Sequence, residues 1–237
     1  MSRSTPPTSV AQAARPAALR LGERLRQLRM AAGLTQSELA GDRFSKEYVS
    51  QIERGKTRPT GDTIAWLASR LDVDPGYLAN GVSTDERGRV EATLTRAEAL
   101  AEAHRYEEAV AEFEQIRPDV AATGAAELEA RLLSGEAWSR MHMGELREAL
   151  DLLTRARTVT QHEPFSELDR AEILFRLGVC RHKLSSNSTA IGLFNEAYAI
   201  AEGSGLPSDF LRSNILAYRS RCYRRQRDLE AAREDVE

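Results

Sequence analysis

Cys180 and His182 stand with one residue between them, and a thiol beside an imidazole is the pairing that thiolate nucleophiles use, the ring taking the proton as sulfur attacks. No other cysteine and histidine in the 237 residues are such close neighbours. The chain holds no glycine-rich phosphate loop, no nucleophile-elbow pattern and no His-Glu-x-x-His run to build a site around them. Two cysteines and four histidines make no disulfide framework and lack the paired spacings of structural zinc. Cys222 occupies the same place in a later repeat as Cys180, which assigns both thiols to core packing. The expectation is no catalytic residue, no metal site and no cofactor, with a pH or metal response left open if His142 and His182 share a groove.

The other available chemistry is recognition by charge and hydrogen bonding. Lys46, Glu47, Ser50, Gln51 and Arg54 are spaced to form the outer face of a short helix whose inner face carries Val49 and Ile52. Ser45 caps that helix and Gly55 ends it. The helix before it starts at Thr35, with Glu38 three residues on to close a capping box and Leu39 and Ala40 turned inward. Ahead of these, a pattern from Leu19 places Leu21, Leu25 and Leu28 on one face, with Arg20, Arg24, Arg26 and Arg29 elsewhere, and stops at Gly33. After the Arg58-Pro59-Thr60 loop, a fourth helix runs to Leu71 and Asp74-Pro75 opens a fifth with Tyr77 and Leu78. Residues 1–18, rich in Ser, Thr, Pro and Ala, are expected to be a disordered tail.

Composition agrees with helices throughout. Aromatic residues are only 6% and Ala, Leu, Glu and Arg abound, so an all-α chain is expected. No stretch approaches the roughly 20 apolar residues of a membrane span, and residues 1–10 lack the apolar core of a secretion signal, so the expected location is the cytoplasm without membrane contact. The net charge of -3 hides an asymmetry. Residues 1–82 hold 12 basic and 8 acidic side chains, net +4, while residues 83–237 hold 21 and 28, net -7. A basic front and an acidic back suggest different partners.

The run Gly33-Leu34-Thr35-Gln36-x-x-Leu39-Ala40, followed by Ser45-x-x-Tyr48-Val49-Ser50-x-Ile52-Glu53-Arg54-Gly55-Lys56-x-x-Pro59, resembles the lambda-repressor-like helix-turn-helix of the Xre group of bacterial regulators. The resemblance covers about residues 19–80 and implies a five-helix DNA-binding domain. It implies base reading by Lys46, Glu47 and Gln51, which can address guanine, cytosine and adenine edges respectively. Gln36 is then expected to brace a phosphate and the recognition helix, and Ser45, Ser50, Arg54, Lys56 and Arg58 are phosphate contacts, which fix register without reading sequence. Tyr48 is read equally as packing or contact, and Glu53 as the partner of an arginine of the first helix, such as Arg24. One such domain covers about one half-site, so a homodimer on a palindromic double-stranded operator is implied.

After a linker over residues 81–88, residues 89–237 repeat at about forty residues. Ala109, Ala149, Ala190 and Ala232 follow turns and are spaced 40, 41 and 42 apart, and Phe113, Leu153 and Phe194 stand four residues after the first three. Pro118, Pro164 and Pro207 lie where units should meet. The pattern resembles the tetratricopeptide repeat in a long-helix form, the usual period being about 34. The resemblance implies a solenoid with a concave groove lined by the first helix of each unit. Glu91, Glu98 and Glu102 are expected at one end of it, Arg131, Trp138, Met141, His142, Phe175, His182 and Lys183 in the middle, and Arg221, Arg224 and Arg225 at the other. The fourth unit breaks off at Glu237 with Leu216, Tyr223 and Leu229 on an apolar face; a longer chain or a second copy is expected to cover it.

The expected function is a sequence-specific transcriptional regulator whose repeats dimerise or sense a peptide or protein, as in quorum-sensing receptors of the architecture it resembles. The competing expectation is an adaptor: repeats that hold a protein partner constitutively, with the front domain as DNA tether.

Overall fold

Every regular element in the computed structural model, which describes residues 21–161 and 164–235, is an α-helix. The tail expected over residues 1–18, and Leu19 and Arg20, lie outside the described residues. The chain forms two compact units, dividing between Glu86 and Arg87, with Ala122–Gly124 grouped with the first. No helix among the described residues is long and apolar enough to cross a membrane.

The first unit holds α1 (Leu21–Ala31), α2 (Gln36–Ala40), α3 (Lys46–Glu53), α4 (Gly61–Leu71) and α5 (Pro75–Asn80). Four of the five starts are made by side chains that accept orphan backbone N–H groups. Thr35 and Glu38 exchange a capping box, Thr35 N–H donating to the Glu38 carboxylate at 2.7 Å. Ser45 Oγ accepts from Tyr48 N–H at 3.1 Å, Thr60 caps α4, and Asp74 caps α5 with Pro75 in the first turn. Between these short helices lies a core of Leu25, Leu39, Val49, Ile52, Leu67 and Leu78, each at most 1% exposed. Burying each such side chain contributes about 1.5–3 kcal/mol, which is what holds helices too short to persist alone.

α1 meets α3 closely because residue 22 is glycine. A Cβ there would stand 2.4 Å from the Ile52 carbonyl oxygen and 2.7 Å from that of Glu53. A glycine inside a helix costs about 0.5–1 kcal/mol relative to alanine, and here the cost is offset by backbone contact.

The segment 81–88, expected as a linker, is helical from Thr84. Gly81 ends α5 at φ 84°, and Ser83 and Glu86 then cap the next helix: Ser83 Oγ accepts from Glu86 N–H at 3.2 Å while the Glu86 carboxylate accepts from Ser83 N–H at 3.1 Å. A capping box of this kind starts a helix wherever it occurs, so α6 runs over Thr84–Glu102.

The second unit continues with α7 (Tyr106–Thr123), α8 (Ala126–Met143), α9 (Leu146–Val159), α10 (Glu167–Lys183), α11 (Asn187–Gly203), α12 (Asp209–Gln226) and α13 (Leu229–Glu234). The helices pair as α8 with α9, α10 with α11 and α12 with α13, and Arg96 of α6 forms an ion pair with Glu112 of α7. Ala109, Ala149 and Ala190 are fully buried, Ala232 is nearly so, and Phe113, Leu153 and Phe194 fill the core four residues on. Five residues before each alanine the chain turns through positive φ, at His104, Gly144, Ser185 and Arg227 (60°, 87°, 62° and 65°). Each turn is closed by the same backbone bond back to the preceding helix: Arg105 to Leu100, Glu145 to Arg140, Ser186 to Arg181 and Asp228 to Tyr223, at 2.9–3.0 Å. That six-to-one closure satisfies an orphan carbonyl at each helix end and keeps the repeat in register.

Pro118, expected between units, lies inside α7. Proline removes one intrahelical donor, but Ile116 and Val120 on either side are buried, and their packing carries the helix past it.

Candidate functional site

α3 presents Lys46, Glu47 and Gln51 on its exposed face, with Val49 and Ile52 seated in the core behind them. Thr57 Oγ1 donates to Gln51 Oε1 at 3.0 Å, which steadies the amide and leaves its NH₂ to donate outward. Ser45, Arg54, Lys56 and Arg58 are also exposed around the two ends of the helix. Tyr48 is half-buried and packs on Phe44, ring centroids 5.2 Å apart, and Phe44 sits edge-on to Trp66 at 5.1 Å.

Ser50, expected to meet a phosphate, is 7% exposed, and its hydroxyl oxygen accepts from Arg54 Nη2 at 2.6 Å. It follows the buried Val49 and precedes the exposed Gln51, and its small side chain ends at the boundary of the packed face. Gln36, expected to brace a phosphate and the recognition helix, donates from Nε2 to Glu53 Oε2 at the end of α3, at 2.8 Å. Glu53 is paired with Arg29 and not with Arg24: Arg29 Nε donates to Oε1 at 2.6 Å and Nη2 to Oε2 at 3.2 Å. Arg24 lies on another face of α1, buried, and donates instead to the carbonyls of Leu78 (2.8 Å) and Ala79 (2.6 Å) at the end of α5. Burial pushes the Glu53 carboxyl up, but the donors from Arg29 and Gln36 outweigh it and hold the group below the usual carboxylate range. A helix pair whose first member braces, and whose capped second member exposes a polar row, can put hydrogen-bonding side chains against base edges in a major groove.

In the second unit the expected groove residues separate. Arg131, His142, Lys183, Arg221, Arg224 and Arg225 are exposed and Trp138 is half-buried. Met141, Phe175 and His182 are 2%, 7% and 7% exposed and belong to the core. Each stands next to an outward position, and a step of one residue turns a helical side chain by about 100°, out of the exposed stripe. Phe175 packs against Phe194 and Tyr218, while His182 Nδ1 lies 3.0 Å from Asn187 Oδ1 and 3.2 Å from Cys222 Sγ. Burial lowers the pKa of His182, raises the Cys180 thiol and pushes Cys222 up to about 11. Cys180 Sγ donates to the Leu146 carbonyl at 3.3 Å. Both thiols and the His182 ring are therefore buried in the packed interior, whereas His142 is exposed. The His142 ring is stacked on Tyr106 at 4.6 Å and 9°, and burial followed by the Lys183 charge lowers its pKa as well.

The walls of α6, α8 and α10 enclose an open cleft of about 550 Å³. Arg131 and Trp138 line it, with Glu98 and Glu102 from α6. Sequence reasoning missed Glu127, Asp169, Glu172 and Arg176, which also line it. The signal was present in part: Glu172 and Arg176 stand one repeat of 41 residues after Arg131 and Gly135, which face the same space.

A braced, capped helix pair with an exposed polar row, followed by stacked antiparallel helix pairs, defines a helix-turn-helix domain with tetratricopeptide-type repeats. Residues 20–80 match the family of the helix-turn-helix domain, and residues 134–205 that of the tetratricopeptide repeat. The HTH-type transcriptional regulator DdrOP3 of Deinococcus deserti is 40% identical over 65 residues, 27% of this chain and 50% of its own, so this chain spans half the length of that relative. The uncharacterized HTH-type transcriptional regulator y4dJ of Sinorhizobium fredii is 43% identical over 67 residues, 28% of this chain and 84% of its own. The chain belongs to the HTH-type transcriptional regulators. Among solved structures, Bacillus thuringiensis PlcR in complex with the peptide PapR7 and DNA aligns at a TM-score of 0.43 and 15% identity, covering 91% of this chain and 92% of that one. The Streptococcus dysgalactiae SHP pheromone receptor Rgg2 aligns at 0.36 and 14%, covering 91% and 90%.

Proposed function

We propose that this regulator reads duplex DNA through α3, with Lys46, Glu47 and Gln51 on base edges and Ser45, Arg54, Lys56 and Arg58 on phosphates, and that its repeat unit receives a peptide or protein signal. The observation that carries the reading is the exposed polar row of a helix whose start is capped by Ser45 and whose end is braced by Arg29 and Gln36 through Glu53. A row held on both sides meets base edges with little ordering cost. Gln36 acts mainly as that brace, and Ser50 is spent within the domain. A single module of this size buries too little surface for tight specific binding, so the protein works as a homodimer on a two-fold operator in the cytoplasm. Selection of random duplex DNA by the purified full-length chain at physiological salt, with the solution mass recorded in the same buffer, tests this. An enriched palindrome bound by a dimer is expected; recovery of duplexes without sequence preference overturns it.

A further inference from the structure

We infer that the cleft walled by α6, α8 and α10 takes a short peptide carrying Arg or Lys, a ligand class opposite in sign to what a basic groove would select; the inference rests on the reading of the repeats as the signal-receiving part. The two guanidinium groups that line the cleft are already matched. Arg131 donates to both oxygens of Glu98, at 3.0 and 2.6 Å, and Arg176 donates to Glu172 at 2.9 Å while lying 5.3 Å over the Trp138 ring. Three carboxylates then remain. Asp169 uses one oxygen on the Ser166 cap, and Glu102 and Glu127 have no hydrogen-bond or ion-pair partner among the described residues.

The surplus is therefore negative on both the α6 and the α8 walls, and an anionic ligand would meet it with like charge at a cost of affinity. Arg176, held between a carboxylate and an indole, shows the kind of seat a guanidinium finds in this cleft. Between the carboxylates stand Ala101, Ala130 and Ile173, so a ligand that fills the space must offer apolar groups as well as positive charge. A peptide does both, whereas a bare polyamine leaves the apolar wall uncovered. The volume of about 550 Å³ falls in the range of sites that enclose a small ligand.

The test is affinity selection of a random hexapeptide pool on the immobilised full-length chain at physiological salt, with the retained peptides sequenced. Enrichment of Arg and Lys beside apolar residues is expected. The Glu102→Lys, Glu127→Lys double variant, with unchanged helix content by circular dichroism, should shift enrichment toward acidic peptides. A synthetic winner should bind the Glu102→Gln, Glu127→Gln protein about tenfold more weakly. Retention of no peptides, enrichment without basic residues, or the same enrichment on the charge-reversed chain overturns the inference. Displacement of the winner by spermidine at equal concentration overturns the peptide in favour of a bare polycation. An enriched operator with no basic peptide defeats this inference alone, whereas basic peptides with no enriched operator defeat the DNA-binding reading and leave the cleft chemistry standing.

Discussion

Glu53 ends α3 with its side chain 4% exposed and collects hydrogen bonds from Arg29 and Gln36. Its pKa is depressed, so its contribution to stability is complete above the usual carboxylate range and is lost as pH falls through the folded value. Glu53→Gln should lower stability at neutral pH by on the order of 1–3 kcal/mol. The difference in Tm between variant and parent should shrink as pH is taken from about 6 toward about 3; a constant difference would mean that charge is not what Glu53 supplies. The exposed residues sort differently. Glu47→Ala or Gln51→Ala should change which base is preferred, at about 1–3 kcal/mol, whereas Lys56→Ala should weaken all duplexes alike and flatten the salt dependence. Competition binding with single-base operator variants at several salt concentrations separates the two, and a changed base preference in Lys56→Ala would put that residue on a base edge.

At the scale of elements, glycines set how closely helices approach. Gly22→Ala adds helix propensity to α1 yet drives a methyl group against the carbonyls of Ile52 and Glu53. Thermal unfolding should show a loss and not the gain an isolated helix would show, and operator affinity should fall because α3 is pushed from its seat. In the repeats, a Cβ on Gly178 would stand 2.4 Å from the Phe194 ring. Gly178→Ala is expected to cost about 1–3 kcal/mol. The second repeat carries Ala137 and Leu153 at the corresponding places, both fully buried, so Phe194→Leu should recover part of that loss in denaturant melts. A double variant whose losses simply add would show that the two positions do not share the strain.

For the whole molecule, the division of charge between a net +4 front and a net -7 remainder suits two ligands of different kind. Coupling between them is reciprocal. If a cationic peptide changes operator affinity by some factor, commonly about 5-fold to 150-fold, the operator must change peptide affinity by the same factor. Fluorescence titration of each ligand in the presence and absence of the other checks this, and a peptide that binds with no effect on the operator would make the repeats a holding device and not a sensor.

The capped helices, the polar row on α3 and the period of the repeats were legible in the chain because each is written within a few residues: Ser45 with Tyr48, Thr35 with Glu38, an alanine and a large apolar residue four positions apart. The Ser83 and Glu86 box was equally local, and the linker expectation overlooked it. Other features were decided only by packing. Which arginine of α1 meets Glu53, whether Ser50, Met141 and His182 face in or out, and why α7 continues through Pro118 all depend on what the neighbouring helix presents. Three of the four turns inside the repeats use His104, Ser185 and Arg227 at positive φ, residues with no glycine to announce them, held by backbone bonds to the preceding helix. Periodicity identifies the face of a helix to within about one residue, and one residue turns a side chain by about 100°; the last assignment belongs to the tertiary contacts.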